Sequence, residues 1–228
     1  MTSAETERVA LAEPVYRDLL RSIICGDRKP GTRLKERELS ELYSVSRVPV
    51  RQAIARLEAE GFALSEPRRG ASVRTVSIND IHQLFDARLC IEPFATRIAA
   101  RRVHAGTADP SRLERLLNES TRPFPSDEPA GGLQSNLAFH DEMVRLSDNA
   151  LLIDFHQPML GRMEWVFGLT HASREDSQTH EHQQLFEAVM SGNAELAAAQ
   201  AYSHIELARA PTLAALESFL ASPPLLGA

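Results

Sequence analysis

Three histidines in the C-terminal part of the chain, His140, His182 and His204, are spaced so that helices would bring their imidazoles together. Asn136 and His140 are four apart, which puts both on one face of a helix. His182 and His204 lie on consecutive helical stretches separated by Ser191, Gly192 and Asn193, about nine residues before that turn and about eleven after it. With a rise of ~1.5 Å per residue, an antiparallel pair of helices holds the two rings at nearly the same level. Imidazoles converging inside a helical bundle can form a divalent-metal site, while each ring taken singly also reads as a polar surface or satisfied core residue. The other histidines of the chain, His82, His104, His156, His171 and His180, show no such pattern and read as polar surface or satisfied core residues.

A second set of chemistry-bearing residues is basic and lies near the N-terminus. Arg47 opens a predicted helix, Arg51 follows one turn later, and Arg68 and Arg69 sit between Pro67 and Gly70 on a predicted hairpin tip. Arginine suits such places because its planar fork meets guanine O6 and N7, or a phosphate, in a bidentate way.

The elements that must hold these arginines follow from periodicity. Val15, Leu19, Leu20, Ile23 and Ile24 repeat at helical spacing, and the pattern stops at Gly26. Lys29 to Leu34 read as a turn whose Pro30-Gly31 pair breaks any helix, and a short helix over 36–43 then carries Leu39 and Leu42 on its buried face. Ser44, Val45 and Ser46 form a tight turn, with Ser46 as the N-cap of a third helix over 47–60 that ends at Gly61. Pro49 falls in that helix's first turn, where a missing N–H costs little. Val50, Ile54 and Leu57 bury one stripe and leave Arg47, Arg51 and Gln52 on other faces. Two short helices joined by a three-residue turn have the geometry of a helix-turn-helix, whose second helix enters the DNA major groove. Short strands over 62–66 and 71–75 flank the basic tip and complete a wing. The same surface could dock a protein partner, with the arginines merely solvated.

From Ser77 onward the pattern is helical, so the fold class is mainly α: a winged helix-turn-helix over 1–76, then an all-helical bundle over 77–228. Ser77 to Asp80 resembles a capping box with Asp in place of Glu, and the helix it starts carries Ile81, Leu84, Phe85, Leu89 and Cys90 on one side. Pro93 should end or kink that helix before a continuation through Ala100. Asp109 and Pro110 cap a helix reaching about 119, residues 121–132 form a Pro- and Gly-rich loop, and further helices are predicted over 133–146, 150–171, 176–190 and 194–208.

Net charge separates the two parts. Residues 1–76 hold fourteen Lys and Arg against eleven Asp and Glu, a net of +3, while the remainder carries a net of −9. A DNA-facing module joined to an acidic module with another task fits this asymmetry. No stretch approaches the ~18 apolar residues of a membrane span, and the first ten residues lack the basic-then-apolar order of a secretion signal. With only Cys25 and Cys90, a disulfide framework is not expected, and a cytoplasmic location is.

The run from Gly31 to Gly61, GTRLKERELSELYSVSRVPVRQAIARLEAEG, resembles the DNA-binding domain of GntR-family bacterial regulators, a likeness extending from about Val15 through Val76. That resemblance implies operator contacts by Arg37, Ser46, Arg47 and Arg51, a wing tip at Arg69 and Gly70 reaching the minor groove, and a homodimer on a short palindrome of double-stranded DNA. The helical part is similar to the FCD effector-binding domain of this subgroup. Arg88 and Glu92 match its Arg-x-x-x-Glu signature, Asn136 and His140 its Asp-x-x-Phe-His motif, and His182 and His204 the remaining ligand positions. The resemblance thus implies a divalent metal, with zinc the first expectation, held by Asn136, His140, His182 and His204, and Arg88 pointing into the pocket to hold an anionic group. Asparagine replaces the usual aspartate, and an amide carbonyl ligates without adding negative charge. The other reading of Arg88 is an ion pair with Glu92 four residues on. A metal beside an arginine points to a small organic acid as effector: a hydroxy acid, a sugar acid or a dicarboxylate.

The expected function is a ligand-responsive transcriptional regulator, a repressor, and not an enzyme. A metalloenzyme with an accessory DNA-binding domain is the competing reading, since three histidines and open positions also describe a catalytic centre. Against it, the sequence has no nucleophile–base pair and no His-Glu-x-x-His motif.

Overall fold

The computed structural model describes residues 3–66, 69–120, 129–170 and 175–221. The chain divides into two compact units, Met1–Val76 and Ser77–Ala228.

The first unit begins with α1 (Ser3–Ile24), which buries Val15, Tyr16, Leu19 and Ile23. It continues with β1 (Arg33–Leu34), α2 (Glu36–Leu42), α3 (Arg47–Ala59), β2 (Ala63–Glu66) and β3 (Gly70–Val73). The three strands form an antiparallel sheet in the order β1-β3-β2, with Leu34 opposite Ala71 and Ala63 opposite Val73. The sequence shows two of these strands. Residues 33–34 read as part of a turn because two residues are too few for alternation to register; the pairing comes from β3, and Leu34 plugs the core at 2% exposure. Leu42 is a further correction. It is 64% exposed, and Leu39 is the buried residue of the two-turn α2. Ser44, at φ 53°, turns the chain into α3, which buries Pro49, Val50, Ala53, Ile54 and Leu57. Pro67 and Arg68 of the expected hairpin tip lie outside the described residues.

The second unit comprises α4 (Ile78–His104), α5 (Ser111–Ser120), α6 (Pro129–Arg145), α7 (Ala150–Thr170), α8 (Glu175–Met190) and α9 (Ala194–Ala221). The capping box forms: the Ser77 side chain accepts from Asp80 N, and the Asp80 carboxylate accepts from Ser77 N at 2.8 Å. Pro93 does not end α4. It removes one N–H from the ladder, but the helix runs on to His104 because Ala95, Ala99 and Ala100 are fully buried beyond it. Cys90, expected on the inner side, is exposed. The stripe begun by Ile81, Leu84 and Phe85 continues at helical spacing to Arg88 and Glu92, so Cys90 falls off it. Helix α9 extends past the predicted end at 208 and through Pro211, held by buried Thr212 and Leu216. Residues 121–128 of the expected loop and His171 lie outside the described residues, and 129–132, expected as the end of that loop, are instead the first turn of α6.

Helix α4 packs against α6, α7, α8 and α9 and is the spine of this unit. A core of small and large apolar residues, including Ala99, Ala100, Phe139, Met143, Leu185 and Val189, closes one side of the bundle. The turn between α8 and α9 depends on Gly192, whose φ is +72° and whose missing Cβ would lie 2.5 Å from His104 Nδ1. Among the described residues no helix is long and apolar enough to cross a membrane.

Candidate functional site

Four helices of the second unit bring polar side chains into its interior. Helix α6 supplies Asn136 and His140, α8 supplies His182, α9 supplies His204, and α4 supplies Arg88 and Glu92; all six are buried. One ligand atom from each of His140, His182 and His204 falls within 4.8 Å of the others. The equal depth inferred for His182 and His204 from their distances to the turn is met by ring centroids 4.7 Å apart. Phe139 stacks on His182 at 4.4 Å between centroids and forms the apolar wall of the cluster.

The hydrogen bonds fix the tautomers. His140 Nδ1 lies 2.8 Å from Glu92 Oε2, and His204 Nδ1 lies 2.8 Å from Glu181 Oε2. An ionised carboxylate only accepts, so each ring donates its Nδ1–H and, when neutral, turns a bare Nε2 lone pair inward. Those two Nε2 atoms stand 3.2 Å apart. His182 Nε2 is buried without a hydrogen-bond partner among the described residues. His140 Nε2 meets only a long 3.5 Å approach from Arg88 Nη2, so the facing lone pairs and the orphaned ring nitrogen stay poorly satisfied without something electron-poor among them. The arrangement therefore fits a cation. Carboxylates behind ligating histidines are also what orients and strengthens such ligands.

The charges agree with that fit. Burial raises the Glu92 carboxyl, but Arg88 and His140 more than offset it and hold it well below the usual carboxylate range. Burial pushes His140 down to about 4, overcoming the pull of Glu92. Burial, then His204 and His140, push His182 well below the ordinary imidazole value. Both rings are thus neutral at pH 7, the form a metal requires.

Arg88 is 1% exposed and donates to Glu92 from Nε at 2.7 Å and Nη2 at 3.4 Å. Its Nη2 is also 3.5 Å from His140 Nε2, so the guanidinium borders the histidine cluster. From the sequence His156 reads only as a polar surface or satisfied core residue. It is fully buried, both ring nitrogens lack hydrogen-bond partners among the described residues, and Nε2 stands 3.6 Å from Glu92 Oε1. The signal was present: His156 shares the spacing of Met159, Met163 and Val166, the buried stripe of α7. Glu92 and Glu181 also lay outside the expected ligand set, and it is they that orient two of the rings.

The first unit presents a different chemistry. Ser46 occupies the N-cap position of α3 with extended backbone, but its side chain makes no capping bond. Arg47 is exposed beside it. Arg51, 65% exposed, is clamped by Glu36 through Nε at 3.2 Å and Nη2 at 3.1 Å. Arg37 pairs with Glu41 at 3.0 Å and Arg69 with Glu66 at 3.2 Å. Gly70, at φ +76°, opens β3 beside Arg69.

Comparison with known proteins matches residues 11–73 to bacterial regulatory proteins of the gntR family and residues 83–207 to the FCD domain. The HTH-type transcriptional regulator YdhC of Bacillus subtilis is 26% identical over 192 residues, covering 83% of this chain and 85% of its own. A GntR transcriptional regulator from Rhodococcus sp. RHA1 has the same fold, with a TM-score of 0.75 at 23% identity, covering 89% of this chain and 97% of that one. The Zn2+-bound FCD domain of TM0439 superposes with a TM-score of 0.51 at 22% identity, covering 63% of this chain and 99% of that domain.

Proposed function

Because the chain belongs to the GntR family of bacterial regulatory proteins and carries an FCD domain, a family of transcriptional regulators rather than enzymes, we propose that it is a repressor released by a small organic acid. A homodimer is the binding species, since one winged helix buries too little DNA surface for genomic specificity, and its operator is accordingly a palindrome. Arg37, Ser46, Arg47 and Arg51, with Arg69 and Gly70 on the wing, are the proposed contacts. Location in the cytoplasm, with the DNA, goes with this reading.

The observation that carries the sensing half is the inward-facing Nε2 pair of His140 and His204 beside the orphaned His182 Nε2. These rings, with the Asn136 carbonyl, would hold a divalent metal, and zinc suits imidazole donors. The zinc in the TM0439 FCD domain supports the choice. When bound, the metal supplies a Lewis-acidic anchor for an oxygen ligand. Arg88 offsets one of the two carboxylates, Glu92 and Glu181, so a dication leaves one positive charge over, which one effector carboxylate balances. Hydroxy acids, sugar acids and dicarboxylates all have that group and a second oxygen for the metal. Such an acid changes the DNA grip only if it binds one arrangement of the reading heads better than the other.

Selection of duplexes from a random library, followed by mobility shift at moderate salt, tests the reading. A palindrome bound by the wild type and lost on Arg47→Ala and Arg51→Ala is expected. No sequence preference, or binding unchanged by both substitutions, overturns it.

A further inference from the structure

The Glu36–Arg51 pair differs from the ion pairs of the other proposed DNA-contacting arginines, Arg37 and Arg69. Arg37–Glu41 and Arg69–Glu66 join residues four and three apart, whereas Glu36 and Arg51 are fifteen apart and tie the first turn of α2 to α3. Both carboxylate oxygens are engaged, Oε1 by Nε and Oε2 by Nη2. This side-on contact uses one edge of the guanidinium and leaves the Nη1 end free to donate. A long side chain with many rotamers is thereby set in one orientation before it meets DNA.

Glu36 also lines a cleft of about 380 Å³ whose wall includes Arg33, Lys35, Arg51, Arg69 and Gly70. Four cations around one opening favour any phosphate, whatever the sequence of the DNA. Two carboxylates in the same lining, Glu36 and Glu58, oppose that uniform attraction, and of the two it is Glu36 that grips Arg51, the arginine placed to read bases. Phosphate contacts give affinity without sequence information, and base contacts give the information.

We propose that Glu36 is a specificity residue that both positions Arg51 for base-edge donation and lowers the affinity of the reading head for DNA of arbitrary sequence. The inference rests on the DNA-binding reading above and adds a residue to it.

The full-length protein is tested on two duplexes, one of random sequence and one selected by the wild type, across a salt series. Glu36→Gln keeps the side chain's shape and removes its charge; Glu41→Gln removes the same charge from the local Arg37 pair. Glu36→Gln is expected to tighten random-sequence binding about threefold, with a salt slope steeper by about 0.9 for each phosphate gained. It should also reduce the ratio of selected to random affinity about tenfold, the scale of one lost bidentate base contact. Glu41→Gln should tighten both duplexes alike and keep the ratio. An unchanged ratio in Glu36→Gln, or the same change in both variants, overturns the proposal. If the wild type selects no sequence, the regulator reading falls and this inference with it.

Discussion

His140 Nε2 stands 3.2 Å from His204 Nε2, and a carboxylate holds each ring from behind, Glu92 at 2.8 Å and Glu181 at 2.8 Å. Neither nitrogen has a proton to offer the other in the neutral tautomers those carboxylates select. Three more groups depend on this geometry: Arg88, which shares Glu92; His182, whose Nε2 completes the cluster; and His156, which approaches Glu92 from α7.

Glu92 compensates a buried guanidinium and orients a ligand at once. Glu92→Gln should lower the unfolding free energy by about 3–5 kcal/mol, because Arg88 is left as a buried unpaired charge. It should also weaken zinc binding ~10–100-fold through His140. Denaturant unfolding and zinc titration measure the two effects separately; a loss under 1 kcal/mol would show that Arg88 finds another partner.

Asn136 brings no charge to the cluster. Asn136→Asp should therefore tighten zinc by about tenfold or more, equivalent to ~1.4 kcal/mol, while lowering the melting temperature of the zinc-free protein. Opposite shifts with and without zinc are the expected thermal signature. Equal shifts in both states would mean that this side chain does not face the metal.

The positions of the helices that carry the site were readable in the sequence because 3.6-residue periodicity and the turn at Gly192 are local signals. The four-residue spacing of Asn136 and His140, and the matched depths of His182 and His204, allow three imidazoles to share one bundle interior, and the likeness to the FCD motifs singles them out as a ligand set. The second set of residues was not readable as a site. Glu92 and Glu181 act through contacts across helices, 48 and 23 residues away in sequence, and no local pattern reports such pairings. Strand β1 was hidden for the same reason, since its pairing with β3 spans the whole helix-turn-helix. Leu42 and Cys90 were misassigned because an apolar residue near a stripe reads as buried until the neighbouring element shows where the stripe ends.

His156 is fully buried, with Nδ1 unpartnered among the described residues and Nε2 meeting only a long 3.6 Å approach to Glu92 Oε1, an arrangement that costs about 1–3 kcal/mol. His156→Leu should leave the zinc-free protein as stable as the wild type or up to ~2 kcal/mol more stable. A destabilisation of that size in denaturant unfolding would show instead that the ring is satisfied in solution.

Gly192 sets the turn that aligns His182 with His204. Gly192→Ala forces a side chain into φ +72° and against His104, and should lower stability by about 1–3 kcal/mol. Zinc affinity should fall with it, as the two rings lose register. Unchanged affinity in a variant that still folds would separate the turn from the site.

Zinc binding to the full-length protein after removal of metal by a chelator is the most direct test of the centre. The wild type should take up one zinc per chain, and His182→Ala, folded by circular dichroism, should bind at least about a hundredfold more weakly, ~2.7 kcal/mol. A wild type that binds no zinc at micromolar concentrations, or a His182→Ala variant that binds as tightly, would contradict the assignment of these rings as a metal centre.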